Sequence, residues 1–188
     1  ERNVIFQKNK VKKIFGNQIY LDHPVHLTLF TLNIKKISSL RNLYNEINVK
    51  NKNKYLKIKI SSTDIFANDP LTKGHTLFYV LKSYSLLKSI QMKHLKTINK
   101  KINVLKKNSK DFKDPILKKN YKKYGFPFAG KIWIPHITVA SIRNIKQDHK
   151  FIKNFIKLKI NYTTLINNIE FYMIINDKHH FLFKTKLL

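Results

Sequence analysis

The chain has 188 residues, with 38 Lys and Arg against 10 Asp and Glu, a net charge of +28 and no cysteine. These numbers exclude disulfides, a thiol nucleophile and a Cys-ligated zinc site, and no apolar run approaches the roughly 20 residues that span a bilayer. Hydrophobic residues at 43% can build one sizeable domain or two small lobes, and 4 Gly with 5 Pro are too few for a linker-rich architecture.

The charge favours polyanions, nucleic acid above all. Arg occurs only at Arg2, Arg41 and Arg143, however. A bias towards Lys, Asn and Ile from AT-rich coding explains the charge equally well, because selection for forked phosphate contacts enriches Arg. No secretory signal is visible, and a cytoplasmic setting is expected. The chain opens on Glu1 rather than Met, which leaves room for a removed leading segment.

Residues 3–15 place Val4, Ile5, Val11, Ile14 and Phe15 near helical spacing, with Gly16 as the stop. Residues 18–33 contain a strand, with His23-Pro24 just before it as a turn or strand entry. Ser38 or Ser39 caps a predicted helix over Leu40, Leu43, Tyr44 and Ile47. From Tyr55 to Ile60 apolar and basic residues alternate, as in a half-exposed strand. A polar turn at Asn68-Asp69-Pro70 leads to a more buried strand over 76–81. Leu86, Leu87, Ile90, Leu95, Ile98, Ile102 and Leu105 predict a long amphipathic helix over 84–105. Residues 106–131 read as irregular and Lys-rich, and 132–142 as a strand. Asp148 opens a helix over Phe151, Ile152, Phe155 and Ile156. Strands over 160–175 and 179–187 close the chain, turned at Asn176-Asp177-Lys178.

The order repeats. Residues 18–83 and 132–187 each read as a strand, a helix and a hairpin. The expected fold is α+β, one domain over 1–188 made of two pseudo-symmetric αβ lobes with antiparallel sheets flanking a central catalytic cleft. Lobe 1 covers about 18–83, a connecting helix and loop 84–131, and lobe 2 132–188, with the 3–15 helix packed on a lobe.

The first strand of each half carries the same pattern, Val25-His26-Leu27-Thr28-Leu29 and Pro135-His136-Ile137-Thr138-Val139. Alternate residues of a strand share a face, so His26 lies beside Thr28, and His136 beside Thr138, with the apolar residues behind them. Imidazoles titrate near neutrality, so one can take a proton from an attacking hydroxyl or water while the other gives one to a leaving oxygen. The Thr hydroxyls can hold the non-bridging oxygens of a phosphate. Nothing in the two motifs says which histidine is the base. No metal or cofactor is needed, and no His-Glu-x-x-His or comparable ligand cluster is present.

These paired His-x-Thr-x signatures resemble the two-histidine (2H) phosphoesterase superfamily, and Trp133-Ile134-Pro135-His136-Ile137-Thr138-Val139 is similar to the second motif of its RNA ligase-like branch. The resemblance implies a bilobal fold and metal-independent phosphodiesterase action on RNA ends or small nucleotides with 2′,3′-cyclic phosphate or 2′-5′ linkages, by a monomer away from membranes. It makes His26, Thr28, His136 and Thr138 the catalytic set. Tyr79, Phe128, Lys131 and Trp133 are candidate substrate contacts, the aromatics by stacking and Lys131 through charge. The readings set against it are a non-catalytic basic RNA-binding module, and an enzyme that degrades 2′-5′ oligoadenylate or cyclic signalling nucleotides.

Overall fold

The computed structural model describes residues 1–34, 55–69, 71–82, 84–102, 104–105, 112–176 and 178–186. The helix expected over Leu40–Ile47 and the Lys106-Lys107 pair lie outside them. The described residues are α+β, with an antiparallel four-stranded sheet, a two-stranded sheet and four α-helices.

Two compact units divide the chain: Glu1–Thr28, Ile58–Ser83 and Pro135–Thr164 form one, and Leu29–Lys57, Tyr84–Ile134 and Leu165–Leu188 the other. Each is assembled from three separated stretches, so the division cuts across the consecutive halves expected from the strand–helix–hairpin order.

In the first unit, α1 (Arg2–Phe15) turns Val4, Gln7, Lys8 and Val11 inwards, one helical stripe. Ile5 and Ile14, expected in that stripe, are exposed. The sheet runs in the order β3 (His136–Ile142), β2 (Gly74–Lys82), β1 (Leu56–Asp69), β4 (Tyr162–Ile166). Leu77, Tyr79 and Leu81 of β2 face the core, as do Ile137 and Val139 of β3. Helix α4 (Lys150–Ile156) buries Phe151, Ile152 and Phe155, and the Phe155 carbonyl accepts from Thr63 Oγ1 at 2.5 Å.

The β1–β2 turn is built from polar groups. Asp69 accepts from Thr76 Oγ1 at 2.6 Å and from the Leu71 amide at 3.0 Å, while the Thr72 and Ser141 hydroxyls meet at 2.6 Å. Gly74 is required there, because a Cβ would sit 2.7 Å from the Ile142 carbonyl oxygen.

In the second unit, Ile98 of α2 (Ser85–Lys101), with Ile102 and Val104 just past its end, packs against Phe30, Leu32, Ile34, Phe171 and Phe183. A second cluster joins Ile90 and Ile169 to Leu29, Leu56 and Ile166. Helix α3 (Pro115–Tyr124) and a 3₁₀ turn (Gly130–Ile132) lie in a stretch expected to be irregular. The helix has clear ends: Asp114 accepts from the Ile116 and Leu117 amides, Pro115 opens the first turn, and Gly125 closes it at φ 70°.

The strand expected over 160–175 is interrupted at Asn167. Its first part is β4 of the four-stranded sheet, and its second is β5 (Asn168–Ile175), paired with β6 (Lys178–Lys186). The strand expected within 18–33 is an extended segment with isolated bridges at Ile19, Leu27 and Ile34. Pro24 has no amide proton to give a ladder, and residues 20–23 turn.

Candidate active site

The site begins with one pairing. Leu27 is bridged antiparallel to Ile137, and both belong to the first unit. Residues flanking an antiparallel bridge pair in reverse order, so His26 stands opposite Thr138, and Thr28 opposite His136. All four side chains therefore leave the pair on one face. The local two-fold of an antiparallel pair carries His26 onto His136 and Thr28 onto Thr138. The histidines are diagonal neighbours across the pair, about 7–8 Å apart along the backbone by the usual strand geometry, with Cβ atoms somewhat closer. That spacing leaves room for one tetrahedral phosphate between the two rings.

The backs of the strands explain the orientation. Ile137 and Val139 are buried, and Val25, Leu27 and Leu29 are half-buried, whereas His26 and Thr28 are exposed. A one-residue slip would bury the polar set and expose the apolar one, so burial sets the register.

His136 stands on a regular strand with β2 at its side: Val80 pairs with His136, Tyr79 with Ile137 and Phe78 with Thr138. The Phe66 and Phe78 rings stack at 4.2 Å, and each lies 5.1 Å from the imidazole of His136. This aromatic pair limits the ring's rotation.

His26 is held by polar groups. Its Nδ1 lies 2.7 Å from the Pro24 carbonyl oxygen, which only accepts, so Nδ1 carries the proton. In the neutral ring Nε2 is then the basic nitrogen. The turn just before it is gripped by Lys8, whose Nζ donates to the carbonyls of Tyr20 at 2.5 Å, Leu21 at 3.2 Å and His23 at 2.7 Å. The chain uses more residues between Ile19 and Leu27 than β3 uses between Ser141 and Ile137, and the surplus forms this turn. All three ammonium protons are spent on it. Burial lowers the Lys8 pKa, and nearby Asp22 opposes the shift.

Of the other candidates, Tyr79 is corrected. It is 1% exposed and points to the core, where its ring meets Phe155 and Tyr162 and its hydroxyl donates to the Asn3 carbonyl. Burial also raises its pKa, with Tyr162 adding to the effect. Its neighbour Phe78 has the opposite parity and meets His136. Trp133 is corrected likewise, being 3% exposed. Phe128 and Lys131 belong to the second unit with Trp133 and are exposed. Their backbones are tied down: Lys88 Nζ donates to the Lys131 carbonyl at 3.0 Å. Gln91 is wholly buried, donates to the Leu29 and Phe128 carbonyls and accepts from the Gly130 amide.

Three of the other histidines have structural partners. His75 receives the Asn68 amide and meets the Ile145 carbonyl. His149 caps α4 through Nδ1, and His23 packs edge-on against Tyr20. His94 is held at about 4, mainly by burial, with Lys93 adding to the shift. Among the described residues no three His, Asp or Glu side chains converge as a metal site, and no helix is long and apolar enough to cross a membrane.

Lys8 and Phe66 are the parts of the site that sequence reading passed over, and of Tyr79 and Phe78, one of which was expected to face the groove, Tyr79 was favoured and Phe78 is the one beside His136. Phe78 had a signal, being two residues from Val80 on one strand face, but parity alone does not say which face carries the histidine.

No protein-family model matches the chain, and no curated protein matches it in sequence. Its fold is similar to the crystal structure of TT0787 of Thermus thermophilus, with a TM-score of 0.63 over 99% of this chain and 90% of that one, at 13% identity. At that identity the likeness establishes a shared fold alone.

Proposed function

We propose that this chain is a two-histidine phosphodiesterase, independent of metal, that acts on RNA ends or small nucleotides bearing 2′,3′-cyclic phosphate or 2′-5′ linkages. One observation carries the reading: the Leu27–Ile137 bridge places two imidazoles and two Thr hydroxyls on one face, related by a local two-fold. The repeated motif supports a pseudo-two-fold relation between the two segments that carry it, both within the first unit.

For a 2′,3′-cyclic phosphate, His26 Nε2 takes a proton from water, and the water oxygen forms a bond to phosphorus. The bond from phosphorus to one ribose oxygen breaks, and His136 gives that oxygen a proton. His26 ends protonated and His136 neutral, and exchange with solvent resets both. Thr28 and Thr138 donate to the non-bridging oxygens, whose charge grows in the transition state. The Pro24 contact favours His26 as the base, since it leaves Nε2 to accept. His136, braced by two rings, is the acid.

The test is turnover of 2′,3′-cyclic nucleotides and short 2′-5′ oligonucleotides in EDTA. His26→Ala and His136→Ala are each expected to lower kcat/KM by about 10²–10⁴-fold. Full activity in both variants, or salt-sensitive RNA binding with no turnover in the wild type, rejects the proposal.

A further inference from the structure

The two-stranded β5–β6 sheet has two unlike faces. Ile169, Phe171 and Phe183 point into the second unit's core. Alternation along β5 puts Glu170, Tyr172 and Ile174 on the opposite face. The register sets Lys184, Phe181 and His179 across from them. Lys186, opposite Asn168, continues that face.

The outer face of a half-buried sheet ordinarily carries polar residues. Here Phe181 is 55% and Ile174 48% exposed. Tyr172 has its ring 5.7 Å from Phe181 and 5.9 Å from His179, both edge-on. Its hydroxyl donates to Glu170 at 2.6 Å, which orients the ring. The result is a group of aromatic rings, fixed by cross-strand pairing, with Lys184 and Lys186 exposed at one end.

We infer that this face is a stacking platform for single-stranded nucleic acid. Bases stack on the rings of Tyr172 and Phe181, while Lys184 and Lys186 meet the phosphates. Each base has a π face whatever its identity, so such a platform is tolerant of sequence. Charge selects this occupant over a second copy of the chain: two molecules at +28 repel, whereas a polyanion gains by releasing counterions.

The experiment is fluorescence anisotropy of the full chain with a labelled oligodeoxythymidine of about 12 nucleotides, within the usual single-strand site sizes. DNA lacks the 2′-hydroxyl, so the measurement is independent of the proposed chemistry. Phe181→Ala and Tyr172→Ala are each expected to weaken binding roughly tenfold, and Phe181→Trp to restore it, as expected for stacking. Lys184→Gln with Lys186→Gln should flatten the salt dependence of log Kd. Melting curves check that each variant folds. Unchanged affinity in folded Phe181→Ala and Tyr172→Ala overturns the inference. So does a wild-type dimer that Phe181→Ala converts to monomer, since the face is then a self-association surface.

Discussion

His136 and His26 carry the same motif but are held by different forces. His136 sits on a continuous strand, with β2 beside it and its ring against Phe66 and Phe78. His26 sits on an extended segment with an isolated bridge at Leu27, oriented by the Pro24 carbonyl behind a turn that a buried ammonium holds. One histidine is fixed by packing, which depends on shape and apolar area. The other is held by a hydrogen bond to the Pro24 carbonyl, behind a turn that the buried Lys8 ammonium ties down only while it is protonated. A shared motif therefore does not imply shared mechanics, and the two copies should respond differently to the same kind of damage.

The largest effect is on chemistry: the two histidine-to-alanine changes should cost about 10²–10⁴-fold each in kcat/KM. If the acid and base act as a unit, the double variant loses far less than the product of the single losses. Additive losses in the double variant would mean that the histidines act in separate events.

Packing is tested next. Phe78→Ala should lower stability by about 3–5 kcal/mol, the range for deleting a buried aromatic side chain. Denaturant melts measure it, and activity should fall alongside as the His136 ring gains freedom. A loss below about 1 kcal/mol would show that packing does not brace that ring.

The polar tether is probed by Lys8→Met, which keeps the side chain's length and apolar stem. It should cost about 2–3 kcal/mol by leaving buried carbonyls without donors. Hydrogen exchange should quicken at the Leu21 and His23 amides of the turn before it changes at β3. Lys8→Arg should not rescue, because a planar fork cannot serve three carbonyls as a tetrahedral ammonium does.

The smallest effect concerns pH. His94 is held at about 4 against an ordinary 6.5. Between those values the unfolded chain binds the proton and the folded chain does not, so the stability from neutral His94 is lost as pH falls through that window. The loss is about 2–3 kcal/mol, and it should shrink in His94→Gln, measured by melts from about pH 7 to about pH 4.

Part of this was legible from local pattern. The alternation around both motifs already placed His26, Thr28, His136 and Thr138 on polar faces, because burial with a period of two is written into neighbouring residues. Helix α1 was legible too, though Ile5 and Ile14 suggested a different inward stripe from the Val4, Gln7, Lys8 and Val11 that is buried. Helix α3 had its signals in Asp114-Pro115 and Gly125, overlooked beneath the lysines.

Other features could not be read locally. Whether Tyr79 or Phe78 faces the histidine depends on the β2–β3 register. The break at Asn167 depends on two sheets competing for one stretch of chain. Lys8 looks like any other lysine in a Lys-rich sequence until the carbonyls of residues 20, 21 and 23 gather around it. By itself the sequence determined the chemistry on offer: two imidazoles, two hydroxyls, and apolar backs to hold them. Only the tertiary structure decided that the two motifs lie side by side, because strand pairing joins backbones far apart in the chain and selects its partners by burial, which no short segment encodes alone.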